Sequence, residues 1–130
     1  MKFVVDTNVV VSGVLHPASN PGRILDLMLA LEFPYVVSTE LVEEYREVLK
    51  RPKFGFDAAL VDTLVDGLAA GAELVVLYPQ RDVISNNPKG QFVINLACAA
   101  NAYITTGNAK HFAGYERTVS PAEALDLLRG

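Results

Sequence analysis

Near its start the chain runs a short β-branched pair, Val4-Val5, straight into Asp6-Thr7-Asn8. The two valines fit a buried strand, whereas an Asp-Thr-Asn step continues a strand badly and opens a turn or a helix well. A buried strand that hands over a carboxylate at its end suits an open parallel sheet. In such sheets, ligands sit at the carboxyl ends of the strands. Asp6 then has one of two jobs, capping the next helix or holding a metal ion.

The rest of the chain alternates strand and helix signals. Residues 7–14 read as a short helix closed by Gly13, and His16 to Gly22 as a loop dense in breakers. Residues 23–31 read as a helix with Ile24, Leu27, Met28 and Leu31 apolar. Tyr35-Val36-Val37 is a second buried strand, with Ser38 or Thr39 as N-cap for a helix over 39–51 that Pro52 stops. A helix over 57–70 carries Leu60, Leu64, Val65 and Leu68 and ends at Gly71. Leu74-Val75-Val76-Leu77 is a third strand, ended by Tyr78-Pro79. A polar loop from Gln80 to Gly90 precedes a small-residue helix with Phe92, Val93, Leu96, Ala97 and Ala100. Tyr103 to Thr106 form a fourth strand, residues 108–113 a short helix, and Thr118-Val119 an edge strand. Ser120-Pro121 opens the last helix. This alternation predicts an α/β fold, a three-layer α/β/α sandwich around a parallel sheet of four to five strands, in one domain over 1–130.

Composition excludes several classes. With 130 residues, 51% hydrophobic and 20% charged, the chain builds a real core and is neither disordered nor long enough in any apolar run to span a bilayer. Asp6 interrupts the early apolar stretch, so a secretory signal is not expected. A single cysteine, Cys98, makes no intrachain disulfide and points to a reducing cytoplasm; its Ala-rich surroundings suggest a small core residue. A net charge of −4 argues against broad binding to nucleic acid, but Arg46, Lys50, Arg51 and Lys53 concentrate positive charge in one segment. They are either phosphate contacts or a solvated helix end complementing the macrodipole.

In the helix over 39–51, Leu41, Tyr45, Val48 and Leu49 form the apolar stripe. Glu40, Glu43 and Glu47 point away from it, and Glu44 lies along its edge, looking toward the sheet. A carboxylate there needs a cation, a hydrogen bond or a metal ion; a buried salt bridge to Arg23 or Lys110 is the plain alternative. The strand ends Asp6-Thr7-Asn8 and Thr106-Gly107-Asn108 are expected side by side, with Glu44 projecting between them. Oxygen ligands of this kind suit Mg²⁺ or Mn²⁺, which activate water and clamp phosphate oxygens. His16 and His111 are acid–base groups by type, but both fall in loop-like segments and metal–water chemistry does not require them.

On these residues the chain resembles the PIN-domain family, in particular the branch of toxins from toxin–antitoxin pairs. The resemblance covers nearly the whole chain. It rests on the order and spacing of Val-Val-Asp6-Thr-Asn-Val, of Val-Ser38-Thr-Glu-Leu-Val-Glu-Glu44-Tyr with Leu49-Lys-Arg-Pro-Lys53-Phe54, and of Ile104-Thr-Thr-Gly-Asn108-Ala-Lys-His-Phe112. It implies a Mg²⁺- or Mn²⁺-dependent endoribonuclease leaving a 5′-phosphate and a 3′-hydroxyl. Asp6, Glu44 and Asn108 are then the catalytic and metal-binding positions, with Asn8, Ser38 and Thr106 in support. RNA contacts would come from Lys89, Arg46, Lys50 and Lys53. The implied partners are RNA, a small antitoxin covering the cleft and, in a possible homodimer, a second copy.

The chain departs from the pattern at one place. The third family acid lies just before the helix that holds Phe92, and here Asn87-Pro88-Lys89-Gly90-Gln91 carries no carboxylate, with Lys89 or Gly90 in its place. An Asp usual before the fourth strand is also missing from Asn101-Ala102-Tyr103. Fewer negative charges weaken a cation site, and a lysine competes with the cation while still able to bind phosphate. Two functions follow: a ribonuclease with a weakened metal site, or an inactive PIN fold that binds RNA or a protein. A receiver-like domain with a phosphorylated Asp6 fits poorly, because Lys110 is badly placed for that fold.

Overall fold

A computed structural model describes residues 1–77 and 88–130, the side chains of Pro88 and Lys89 excepted. Five strands are present among them, all parallel to their neighbours. β1 (Phe3–Val5) pairs with β4 (Tyr103–Thr105), which pairs with β5 (Thr118–Val119); β2 (Val36–Val37) pairs with β3 (Glu73–Leu74). The two ladders, β1-β4-β5 and β2-β3, are joined by a bridge between Phe3 and Tyr35. Strand order is therefore 3-2-1-4-5. The chain reverses its direction of travel between β1 and β4, the switch point where open α/β sheets bind ligands.

Val4 pairs with Ile104 and Val5 with Thr105, so Asp6 and Thr106 leave the sheet side by side. Every residue of β1 is buried, which requires cover on both faces of the sheet. α5 (Pro88–Ala100) lies on β1 and β4, while α1 (Thr7–Leu15), α2 (Asn20–Leu29), α3 (Thr39–Leu49) and α4 (Ala58–Ala70) pack against one another. α6 (Pro121–Arg129) closes the chain against α2, started by a capping box between Ser120 and Glu123. The three-layer α/β expectation holds.

Several local expectations do not. α2 begins at Asn20, inside the expected loop, because Ser19 caps it and Pro21 fits its first turn. Gly22 is needed there: a Cβ would stand 2.2 Å from the Pro17 carbonyl oxygen. The helix also ends early, and Leu31 is left-handed and exposed rather than part of the stripe. In α4 the buried stripe is Val61, Val65 and Leu68, and Leu60 is 69% exposed. β3 is a short edge strand of exposed residues over Glu73–Leu74, not a strand over 74–77. Cys98 is exposed on α5, while its neighbours Leu96 and Ala97 face the core. The loop placed over Gln80 to Gly90 lies largely outside the described residues, and from Pro88 the chain is helical. Among the described residues no helix is long and apolar enough to cross a membrane.

Candidate functional site

Asp6 does the first of the two jobs between which the sequence left a choice open: it caps the next helix. Its Oδ1 accepts the Thr7 backbone N–H at 2.9 Å, capping α1, and its Oδ2 accepts the Thr106 hydroxyl at 2.7 Å. Yet the side chain also lines a cleft of about 620 Å³ at the switch point. Thr106 spends its one proton on Asp6 and accepts from the Asn108 backbone N–H (3.1 Å) and the Asn8 carboxamide (3.4 Å). Asn8 Oδ1 in turn accepts the Gly107 N–H at 3.3 Å, so the ends of β1 and β4 are laced together by side chains.

Glu44 enters from α3. Ser38, almost fully buried, caps that helix by accepting from Leu41 N, and fully buried Tyr45 donates its hydroxyl to the Val5 carbonyl. These two contacts fix the start and rotation of α3, and the residue before Tyr45 therefore faces the end of β1. There Glu44 Oε2 accepts the Thr7 hydroxyl. Thr7 thus holds both carboxylates, Asp6 through its N–H and Glu44 through its hydroxyl. Among the described residues Glu44 has no ion pair with Arg23 or Lys110.

The remaining cleft walls divide by chemistry. Thr7, Asn8 and Ser12 continue the polar floor, Arg51, Lys53 and His111 bring positive or titratable groups, and Val11, Val48, Phe54, Gly90, Val93 and Phe112 complete the lining. Asn108 does not line the cleft; its carboxamide turns to His111, with Nδ2 3.1 Å from Nε2. Arg46 and Lys50 also lie elsewhere, paired with α4: Arg46 with Asp62 (2.6 Å) and Asp66 (2.8 Å), Lys50 with Asp62 (2.8 Å). The Lys89 side chain lies outside the described residues. Sequence reasoning missed Phe54 as a cleft residue and set His111 aside, while Arg51 was named only within the basic segment as a candidate phosphate contact. The spacing of His111 from Asn108 within one short turn was the available signal.

Burial pushes the Asp6 carboxyl above its ordinary range, against the Thr106 and Thr7 hydrogen bonds and the nearby His111, which pull it down. Among the described residues neither Asp6 nor Glu44 forms an ion pair, and no cluster of three His, Cys, Asp or Glu side chains gathers around a point. A buried carboxylate without a counter-charge suits a cation. Two carboxylates with an amide oxygen beside them fit a hard divalent ion that keeps most of its waters, not one caged by protein alone.

A parallel α/β fold with paired carboxylates in a cleft at its switch point defines a class that binds its ligand at the strand ends. The family model of the PIN domain matches residues 2–110, and the chain belongs to the PIN-domain family. Among solved structures it is similar to VapBC2 from Rickettsia felis, determined bound to a DNA fragment from their promoter. The TM-score is 0.63 at 16% identity, covering 92% of this chain and 97% of that one. At that identity the likeness is one of fold. No curated protein matches the chain in sequence.

Proposed function

We propose that this PIN domain is a Mg²⁺- or Mn²⁺-dependent endoribonuclease, acting in the cytoplasm as the toxin of a toxin–antitoxin pair. The observation that carries the reading is the convergence of Asp6 and Glu44 on Thr7 at the floor of a cleft that also contains Arg51 and Lys53. Asp6 and Glu44 would hold the ion, with Asn8 as the amide that shares the cleft with them. A bound ion supplies Lewis acidity toward water and toward a phosphate oxygen. Thr7 and Thr106 orient the carboxylates, Ser38 and Tyr45 hold α3 in register, and Arg51 and Lys53 draw the RNA backbone to the cleft by charge. The expected products carry a 5′-phosphate and a 3′-hydroxyl. The likeness to VapBC2 supports a small antitoxin as the protein partner.

A second reading, an inactive module that holds RNA without cutting it, is favoured by one observation: only two carboxylates line the described cleft. Cleavage of single-stranded RNA in Mn²⁺ by wild type and Asp6→Ala separates the two. Cutting by wild type that Asp6→Ala abolishes supports the enzyme. Equal cutting by both overturns the assigned site, and inertness of both with RNA still bound establishes the module.

A further inference from the structure

The turn between α3 and α4 places an aromatic ring, beside Arg51 and Lys53, in a cleft that mixes polar, charged and apolar walls. Residues Pro52–Phe54 form a single 3₁₀ turn, held by Phe54 N–H to Arg51 O and Gly55 N–H to Pro52 O, both 3.1 Å. Gly55 then takes a left-handed conformation (φ 67°), which L side chains adopt at a cost. That reversal stacks Phe54 on Phe56, ring centroids 5.6 Å apart and planes 10° from parallel. The two rings face different surroundings. Phe56 lines an apolar groove with Val14, Leu49 and Val61 and so anchors the turn, whereas Phe54 lines the carboxylate cleft beside Arg51 and Lys53. Phe54 is partly buried against the core yet keeps part of its ring on the cleft wall. The exposed Lys53 lays its ammonium 5.1 Å from the Phe54 centroid. Its stem is long and flexible, so the same group can leave the ring for a phosphate one nucleotide away.

We infer that Phe54 is a stacking shelf for one unpaired base of the substrate, with Lys53 and Arg51 on the adjoining phosphates, so that the cleft takes single-stranded RNA in preference to duplex. The inference rests on the RNA reading above and adds a specificity-determining residue to it. Single strands offer splayed bases to aromatic side chains, whereas A-form duplexes keep theirs stacked inside. A shelf that is prefolded by the 3₁₀ turn and its partner ring costs little ordering on binding.

The test is fluorescence anisotropy in EDTA, where binding is read without cleavage, using a short fluorescein-labelled single-stranded RNA and the duplex made from it. Wild type is expected to prefer the single strand. Phe54→Leu, which keeps an apolar filler but no π-face, loses about tenfold on the single strand and little on the duplex, and Phe54→Tyr retains the wild-type affinity. Lys53→Ala lowers the slope of log affinity against log salt by about one. Equal single-strand binding by Phe54→Leu and wild type, or equal losses on both RNAs, overturns the shelf. If wild type binds neither RNA, the RNA reading itself fails and the shelf falls with it.

Discussion

The hydroxyl of Thr7 is hydrogen-bonded to Glu44, and this contact joins the end of β1 to α3 inside the cleft. Thr7 is buried, and the same residue donates its backbone N–H to the Asp6 carboxylate that caps α1, so it sets the relation between the two carboxylates. Thr7→Val keeps the volume and removes the donor. A hydrogen bond to a charged acceptor contributes roughly 1.5–3 kcal/mol when well buried, and Glu44 is only partly buried, so a loss of about 1–2 kcal/mol is expected. Urea denaturation measures it. Thr7→Ser should recover most of the stability and of the Mn²⁺-dependent cleavage, and a fully stable Thr7→Val would mean that the contact contributes nothing.

Asp6 carries an opposite prediction. Its carboxyl is raised above the ordinary value by burial, so the folded state holds a proton more tightly than the unfolded chain. The ionised group therefore subtracts from stability above its folded pKa. That penalty fades as pH falls through the raised value toward the ordinary one of about 4, and is gone below it. Asp6→Asn keeps a good N-cap and removes the charge. In EDTA it should melt higher than wild type at neutral pH, with the gap closing on acidification through that window. Added Mn²⁺ should raise the melting temperature of wild type and leave the variant where it was. A variant that melts lower at neutral pH would show that the carboxylate stabilises the fold by its hydrogen bonds alone.

The parts of this molecule that were legible in the sequence are those that local chemistry decides. Val4-Val5-Asp6 and Thr105-Thr106 mark strand ends by residue type, and the register of β1 on β4 then brings Asp6 to Thr106 with no further information. Glu44 could be aimed from helical spacing because Leu41, Tyr45 and Leu49 define the buried stripe of α3 unambiguously. In α4 the apolar residues surround the helix, so periodicity alone could not decide between Leu60 and Val61; the neighbours across the α3–α4 interface decide it. Asn108 was placed by its strand-end position, but the direction of its side chain depends on the 3₁₀ turn that follows and on His111. Phe54 reads in the sequence only as the end of the Leu49–Phe54 motif, because which way its ring faces is decided by the 3₁₀ turn and the left-handed Gly55 that follows.

Arg46 joins two carboxylates of α4, Asp62 and Asp66, and Lys50 shares Asp62. These are solvent-screened pairs, so Arg46→Ala should lower the melting temperature slightly at low salt and not at all in high salt. Its effect on RNA affinity should be smaller than that of Lys53→Ala, which removes a cation from the cleft itself. Parallel melting and anisotropy measurements check this, and a larger affinity loss for Arg46→Ala would return the α3–α4 surface to the RNA path.

The missing third acid yields the last expectation. Two positions stand where a carboxylate is expected, Lys89 and Gly90, and they are not equivalent. Gly90 is buried, and a Cβ there would lie 3.0 Å from the His111 carbonyl oxygen and 3.4 Å from the Phe112 ring. Gly90→Asp therefore forces α5 away from the turn that carries Asn108 and His111. Overpacking of this kind costs roughly 1–3 kcal/mol, which should appear as a lower melting temperature with no gain in cleavage. Lys89→Asp exchanges a cation for a carboxylate in the same stretch of chain and makes the local charge more negative by two. It should tighten Mn²⁺ binding, seen as a larger metal-induced rise in melting temperature than wild type shows, and should speed Mn²⁺-dependent RNA cleavage. Unchanged metal stabilisation in Lys89→Asp would mean that Asp6 and Glu44 hold the ion without help from this segment.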